Sequence, residues 1–317
     1  VRALVLKDQL RYDANTPTPI IEGDEALLKI RKAGICRTDL ELIGGYLNFS
    51  GIPGHEFVAE VVEGPAEWIG QRVVGEINVA DGTCDLCQQG MPSQCRNRTT
   101  VGIDRHNGAF ADYMTLTTRN LHVVPDSVSD TAAVFTEPLA AALQTLEAVH
   151  ISPRDRIVII GAGKLGLLTA QVLRLTGANV SAVVRHESQA RLLNKWYIPA
   201  FARSEVPSKR TQVVVDCTGT AEGFADSLDL VQPRGTIILK STYRAQPQID
   251  LTRIAVEEIK VVGSRCGPFD AALRLLETGL VDVESLVEAR YSLDDSLKAV
   301  DHAAQRGVLK VLLEVSD

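Results

Sequence analysis

The chain has 317 residues, 45% of them hydrophobic and 23% charged, which is enough for about two domains with a sizeable core. A net charge of −7 and a pI near 5.5 argue against a nucleic-acid surface, which needs clustered Lys and Arg. No run of 18 apolar residues is present, so a membrane-spanning helix is not expected.

The opening VRALVLKDQL alternates and meets Lys7 and Asp8 at once, so it reads as a strand and not as a signal peptide. Residues 1–135 continue as mostly β: EALLKIRKAG, FVAEVVEG, QRVVGEINV and ADYMTLTT are apolar runs cut by Gly, Pro, Asn and Asp. From Asp130 to Val149 the pattern becomes helical, with Pro138 expected to open a second helix. Beyond Pro153 strands and helices alternate: RIVIIGAG, KLGLLTAQVLRLTG, ANVSAVV, ESQARLLNKW, TQVVVDCTG, GTIILK and IKVVGS. That alternation predicts an α/β, doubly wound parallel sheet. Two helical patterns (DAALRLLETG and LDDSLKAVDHAAQRG) and a strand, VLKVLLEV, close the chain.

Three constellations carry chemistry. Gly34–Glu60 holds Cys36, Thr38, Asp39, His55 and Glu56. Cys, His and Glu are all zinc donors, and three protein donors with a fourth position open describe a catalytic zinc. The plain alternative is a buried apolar thiol and a structural histidine.

Gly161-Ala-Gly163-Lys164-Leu165-Gly166 is a GxGxxG between a strand and a helix. In that context the glycines permit a tight turn and backbone approach to a pyrophosphate, with the helix N-terminus facing the phosphates. An NAD site usually places Asp or Glu at the end of the second strand. Here Arg185 stands there, which suits a 2′-phosphate and favours NADP over NAD. Alternatively Arg185 is a solvated loop charge and Glu187 binds the ribose hydroxyls.

Asp81, Cys84, Cys87 and Cys95 have metal spacing: the Cys-x2-Cys knuckle presents two thiolates, Cys95 a third, and Asp81 a carboxylate. They read as a closed structural zinc. The alternatives are a metal-free loop with reduced cysteines and a Cys84–Cys87 redox disulfide. Six cysteines without a signal peptide fit reduced thiols and a cytoplasmic chain.

Taken together, GICRTDLE (34–41), PGHEFVAEVVEG (53–64), the cysteine lobe (81–95), NGAFADY (107–113), FTEPLAAAL (135–143), GAGKLG (161–166) and DCTG (216–219) resemble the zinc-dependent medium-chain dehydrogenase/reductase family. That family includes alcohol, polyol, glucose and threonine dehydrogenases. The resemblance implies a GroES-like β-rich catalytic domain from residues 1–138 and 267–317, and a Rossmann domain from 139–266. It implies a catalytic zinc on Cys36 and His55, with Glu56 or Glu137 completing the donor set. Adjacent strand residues face opposite sides, so His55 and Glu56 can both reach one ion only if the chain bends there. The implied reaction is reversible hydride transfer between an alcohol, polyol or sugar hydroxyl and a nicotinamide, with Thr38 taking the hydroxyl proton and Glu41 passing it outward. Asp39 reads as an orienting residue, and Arg265 as a contact to cofactor phosphate.

The chain departs from the family's patterns at Asp81, where four-Cys members have Cys, and at Glu41, where many alcohol dehydrogenases have His. Ala140-Ala141-Ala142 also lacks the sugar-binding carboxylate expected of a glucose enzyme. The resemblance implies a homodimer or homotetramer. Two rivals are a zinc-free quinone or enone reductase, which would lack the Cys36/His55 pair, and a nucleotide-binding redox or metal sensor without turnover.

Overall fold

A computed structural model describes residues 1–243 and 247–316, which divide into two compact units: 1–137 with 269–317, and 138–268. The first unit begins with strands β1 (Ala3–Leu6) and β2 (Leu10–Asp13), β3 (Glu25–Ile35), and helix α1 (Arg37–Ile43). Strands β4 (Glu56–Glu63), β5 (Arg72–Gly75) and β6 (Asn78–Val79) follow, then α2 (Asp85–Gln88) in the cysteine lobe. Next come β7 (Thr99–Val101), β8 (Arg105–His106), β9 (Tyr113–Thr117), β10 (Leu121–Val123) and α3 (Asp130–Ala133).

The division falls inside α4 (Thr136–Ala148). Pro138 is that helix's third residue, not its first. Its missing N–H costs nothing there, since the N–H groups of the first turn have no partner within the helix.

The second unit alternates: β11 (Arg156–Ile160), α5 (Lys164–Arg174), β12 (Asn179–Val183), α6 (Glu187–Lys195), β13 (Ala200–Phe201), β14 (Thr211–Asp216), α7 (Ala221–Leu230), β15 (Val231–Leu239), α8 (Leu251–Val256) and β16 (Lys260–Gly263). Among the described residues these strands form one parallel sheet of order β13-β12-β11-β14-β15-β16. Spatial order 3-2-1-4-5-6 is the doubly wound dinucleotide fold, whose switch point lies between β11 and β14. The near-continuous apolar runs of β11 and β14 reflect burial on both faces. Val158, Ile160, Val214 and Ile237 pack with Phe224 and Leu228 of α7, and each such side chain stabilises by about 1.5–3 kcal/mol. Thr220 and Asp250 cap α7 and α8 by accepting the N–H of Gly223 and Arg253.

The chain then returns to the first unit with α9 (Phe269–Glu277), β17 (Val287–Ser292), α10 (Ser296–Ala303) and β18 (Lys310–Glu314). There β18 pairs antiparallel with β3 and parallel with β17, extending the sheet β10-β5-β4-β3-β18-β17, with β9 also on β3. The opening segment, read as one strand, is a hairpin: Lys7–Gln9 turn the chain so that Ala3 faces Asp13. Among the described residues no helix is long and apolar enough to cross a membrane.

Candidate active site

Cys36 ends the approach of β3 and is the N-cap of α1, whose first turn carries Thr38 and Asp39. Two residues before β4, Gly54 adopts φ +99°, a left-handed conformation in which a Cβ would strike the Phe110 ring at 2.4 Å. Only glycine tolerates both. Gly108 and Gly102 let their backbones close on the same turn, since a Cβ on either would meet the Gly54 carbonyl at 2.1 or 2.4 Å. Here lies the bend that the sequence required. His55 precedes β4 and Glu56 opens it, and both side chains turn inward.

One donor atom each from Cys36, His55 and Glu56 lies within 4.8 Å of the others, with His55 and Glu56 buried. Asp39, fully buried, organises the group. Its Oδ2 accepts the Cys36 N–H at 2.8 Å, while its Oδ1 accepts the Gly54 N–H at 3.2 Å and lies 3.1 Å from His55 Nδ1. With Nδ1 engaged by Asp39, Nε2 is the ring nitrogen left on the Cys36 side, an arrangement common to metal-binding histidines. Burial pulls the imidazole's proton affinity down. Asp39, then Cys36, outweigh it and hold the group well above its usual range.

Sequence reasoning missed Lys310, the first residue of β18. It is buried with Glu56, and its ammonium donates to Glu56 Oε2. Burial lowers the lysine's proton affinity, but Glu56, then Cys36 and Asp39, raise it further, so Lys310 carries its charge. The available signal was a lysine in an otherwise apolar terminal strand, which snorkelling to solvent would equally have explained.

Thr38 Oγ1 lies 3.9 Å from Cys36 Sγ. Glu41 Oε1 accepts from Arg37 Nε at 2.8 Å, an i,i+4 pair on α1. Glu137 lies in the first turn of α4 and is not a member of the close donor group.

In the cysteine lobe, Asp81, Cys84, Cys87 and Cys95 bring four donor atoms within 4.8 Å. The sulfurs of Cys84 stand 3.5 Å from Cys87 and 3.8 Å from Cys95, and Asp81 Oδ1 lies 3.5 and 3.4 Å from Cys87 and Cys95. A tetrahedron with metal–sulfur bonds of about 2.3 Å has edges of roughly 3.8 Å, so four donors fit one zinc. Asp81 is held in place by the N–H groups of Thr83 and Cys84 and by Asn97 Nδ2, at 2.8, 3.2 and 2.6 Å. Backbone donation from Arg96 and Cys87 lowers the Cys84 thiol to about 7, and burial first, then the neighbouring thiols, push Cys87 up to about 12.

In the parallel-sheet unit, Gly161 takes φ +91° beside Cys217, and a Cβ on Gly166 would strike the Gly161 carbonyl at 2.1 Å. Gly163, with nothing within 4 Å of a Cβ, caps α5 without a side-chain acceptor. Such a turn can admit a pyrophosphate, with the N–H groups at the α5 N-terminus, from Lys164 and Leu165 onward, as the donors it would use. Arg185 is exposed, Glu187 is paired with Arg191, and Gln189 Oε1 accepts the N–H groups of Arg185 and His186. Arg265 follows β16 in the same unit.

The family model described as alcohol dehydrogenase GroES-like domain matches residues 22–126, and that described as zinc-binding dehydrogenase matches 165–278. A sorbitol dehydrogenase of Halalkalibacterium halodurans is 30% identical over 95% of this chain and 94% of its own. D-arabinitol dehydrogenase 1 of Uromyces fabae is 29% identical over 93% of this chain and 91% of its own. The solved structure of a zinc-binding dehydrogenase target of Sinorhizobium meliloti 1021, bound to NADP, superposes with a TM-score of 0.90 at 28% identity, covering 99% of both chains. The fold, the close Cys–His–Glu group and the glycine turn thus occur in a chain that belongs to the zinc-dependent medium-chain dehydrogenases, oxidoreductases that act on CH–OH groups with a nicotinamide cofactor.

Proposed function

We propose that the protein is an NADP-preferring dehydrogenase of polyols or related secondary alcohols. Its catalytic zinc is held by Cys36, His55 and Glu56. The observation that carries this reading is the donor group itself: a half-buried sulfur with a buried ring nitrogen and a buried carboxylate, all within 4.8 Å and braced by Asp39. Zinc supplies Lewis acidity toward the substrate oxygen and the nicotinamide supplies the hydride acceptor.

The chain's own residues do the rest. Asp39 fixes the ring orientation of His55. Thr38, two residues beyond Cys36, receives the substrate hydroxyl proton. Glu41 is the outward acceptor, tied to the exposed Arg37 on the same helix. Glu137, outside the close group, has no part in this ligand set. A polyol substrate is favoured by the names of the sorbitol and arabinitol relatives. Arg185 favours NADP, because the nearby acid, Glu187, is engaged by Arg191.

The Asp81-Cys84-Cys87-Cys95 cluster we read as a second, structural zinc. Its tetrahedral edge lengths support one ion, and its closed donor set leaves no position for substrate. The end strand β16 exposes Val261, which suits pairing of copies into a homodimer or homotetramer. Six free thiols suit a reducing, cytoplasmic setting.

The test is a polyol and secondary-alcohol screen with NADP and NAD on enzyme loaded with zinc, stripped by chelator and reloaded. NADP-linked turnover should vanish on stripping and return with zinc. Thr38→Val should retain zinc and lower kcat roughly 10²-fold or more. Cofactor binding with no turnover on any alcohol would favour the sensor reading instead.

A further inference from the structure

Glu56 and Lys310 form an ion pair with side-chain exposures of 1% each, at the head of two strands in the zinc-donor unit. The pair is built in, not incidental. Gly34 faces Glu56 across the β3–β4 ladder, and a Cβ there would meet Glu56 Oε2 at 2.5 Å and Val134 Cγ1 at 2.9 Å. The backbone at 34 is therefore hollowed out for the carboxylate oxygen that holds the lysine. On the lysine's other side the Phe135 ring centroid lies 5.6 Å from Nζ, a distance at which the aromatic face favours a cation. Strand, glycine and ring fix one ammonium against one oxygen.

That arrangement limits what Glu56 can do. One of its oxygens, Oε2, is committed to a buried cation, and only Oε1 is uncommitted. The carboxylate's negative charge is shared before any metal arrives. A carboxylate so restrained is a weaker, one-oxygen donor, more easily displaced by an incoming oxygen than a free one. We propose that Lys310 is a positioning residue for the zinc: it holds Glu56 by Oε2 and so sets how strongly this carboxylate competes with substrate for the ion. The inference rests on the reading of Cys36, His55 and Glu56 as ligands.

The test reads metal affinity, not turnover alone. Zinc and cobalt affinities are measured by competition with a chromophoric chelator, counting only the metal that Cys36→Ser abolishes. If Cys36→Ser abolishes none, the ligand reading fails, and the proposal with it. If it does, Lys310→Met and Lys310→Gln should bind that metal at least 10-fold more tightly, because the released carboxylate takes the ion as its counter-charge. The cobalt absorption bands should change with them. In the same variants kcat should fall and the alcohol KM should rise, while Lys310→Arg stays near wild type in both. Unchanged or weakened metal binding in folded Lys310→Met and Lys310→Gln would overturn the proposal.

Should both of these fail to fold, the neutral pair Glu56→Gln/Lys310→Met is compared with Glu56→Gln. With the carboxylate gone, the uncompensated ammonium of the single variant should repel the ion, so the double variant should bind metal at least 10-fold more tightly than the single. Equal affinities would mean that Lys310 acts on folding alone, and would sink the idea.

Discussion

Asp39 joins the two halves of the Cys36–His55–Glu56 group: its two oxygens accept the Cys36 and Gly54 N–H groups, and one lies 3.1 Å from His55 Nδ1. One buried carboxylate thus ties the N-cap of α1 to the turn before β4. Replacing it by asparagine keeps the volume but removes the charge and one acceptor. Asp39→Asn is expected to weaken zinc binding 10–100-fold, the range typical of groups that orient metal-bound histidines. Zinc content after dialysis against graded chelator is the measurement, and full retention would remove Asp39 from the site's design.

Arg185 is the second test. Its guanidinium is exposed at the end of the second strand of the parallel sheet, and Glu187 is turned toward Arg191. Arg185→Asp should lower kcat/KM for NADP at least 10-fold and raise it for NAD, since a carboxylate repels a 2′-phosphate and accepts from ribose hydroxyls. An unmoved NADP/NAD ratio would make Arg185 a bystander and hand cofactor choice to Glu187 or beyond.

What could be read from the sequence followed how local each signal is. The glycine turn at 161–166 was legible because the strand, turn and helix lie in one stretch, and the Cys-x2-Cys spacing because three residues span a knuckle. His55 and Glu56 looked incompatible on a regular strand, and only the left-handed Gly54 resolves that. Lys310 was illegible because its partner lies 254 residues away and no periodicity links them. β17 escaped because VEARYS alternates half-buried and exposed positions at the end of its sheet, which leaves no apolar run to detect. The opening hairpin was read as one strand because Lys7–Gln9 contain neither Gly nor Pro.

The cysteine lobe gives a third prediction. If four donors close around one ion, the purified chain should hold two zincs, and Asp81→Ala should lose one of them. Stability should fall while turnover per remaining zinc persists, since the lobe's donors leave no open position. Asp81→Cys should bind the second zinc more tightly than wild type, because thiolate suits zinc better than a carboxylate held by Asn97. Equal stability with and without the second ion would argue for a metal-free loop.

His122 carries the pH prediction. It sits on β10 with Nδ1 2.7 Å from Asp270 in the first turn of α9 and Nε2 3.0 Å from Glu76, just past β5, its ring tilted over Phe269 at 5.3 Å. Burial lowers its proton affinity, but hydrogen bonds to Glu76 and Asp270 more than offset this, so the folded value lies above the usual 6.5. A group raised on folding contributes stability in full below its unfolded value and loses it as pH climbs through the folded value. The contribution should therefore be complete near pH 6 and fade as pH rises above neutrality. Glu76 and Asp270 are 45% and 73% exposed, so solvent screening limits the clamp to about 0.5–1 kcal/mol. His122→Phe keeps an aromatic ring against Phe269 and deletes both ion pairs. Its Tm should lie a few degrees below wild type at pH 6, with the gap narrowing by pH 9. A gap that stays constant, or widens with pH, would mean that the imidazole acts through packing and not through its charge.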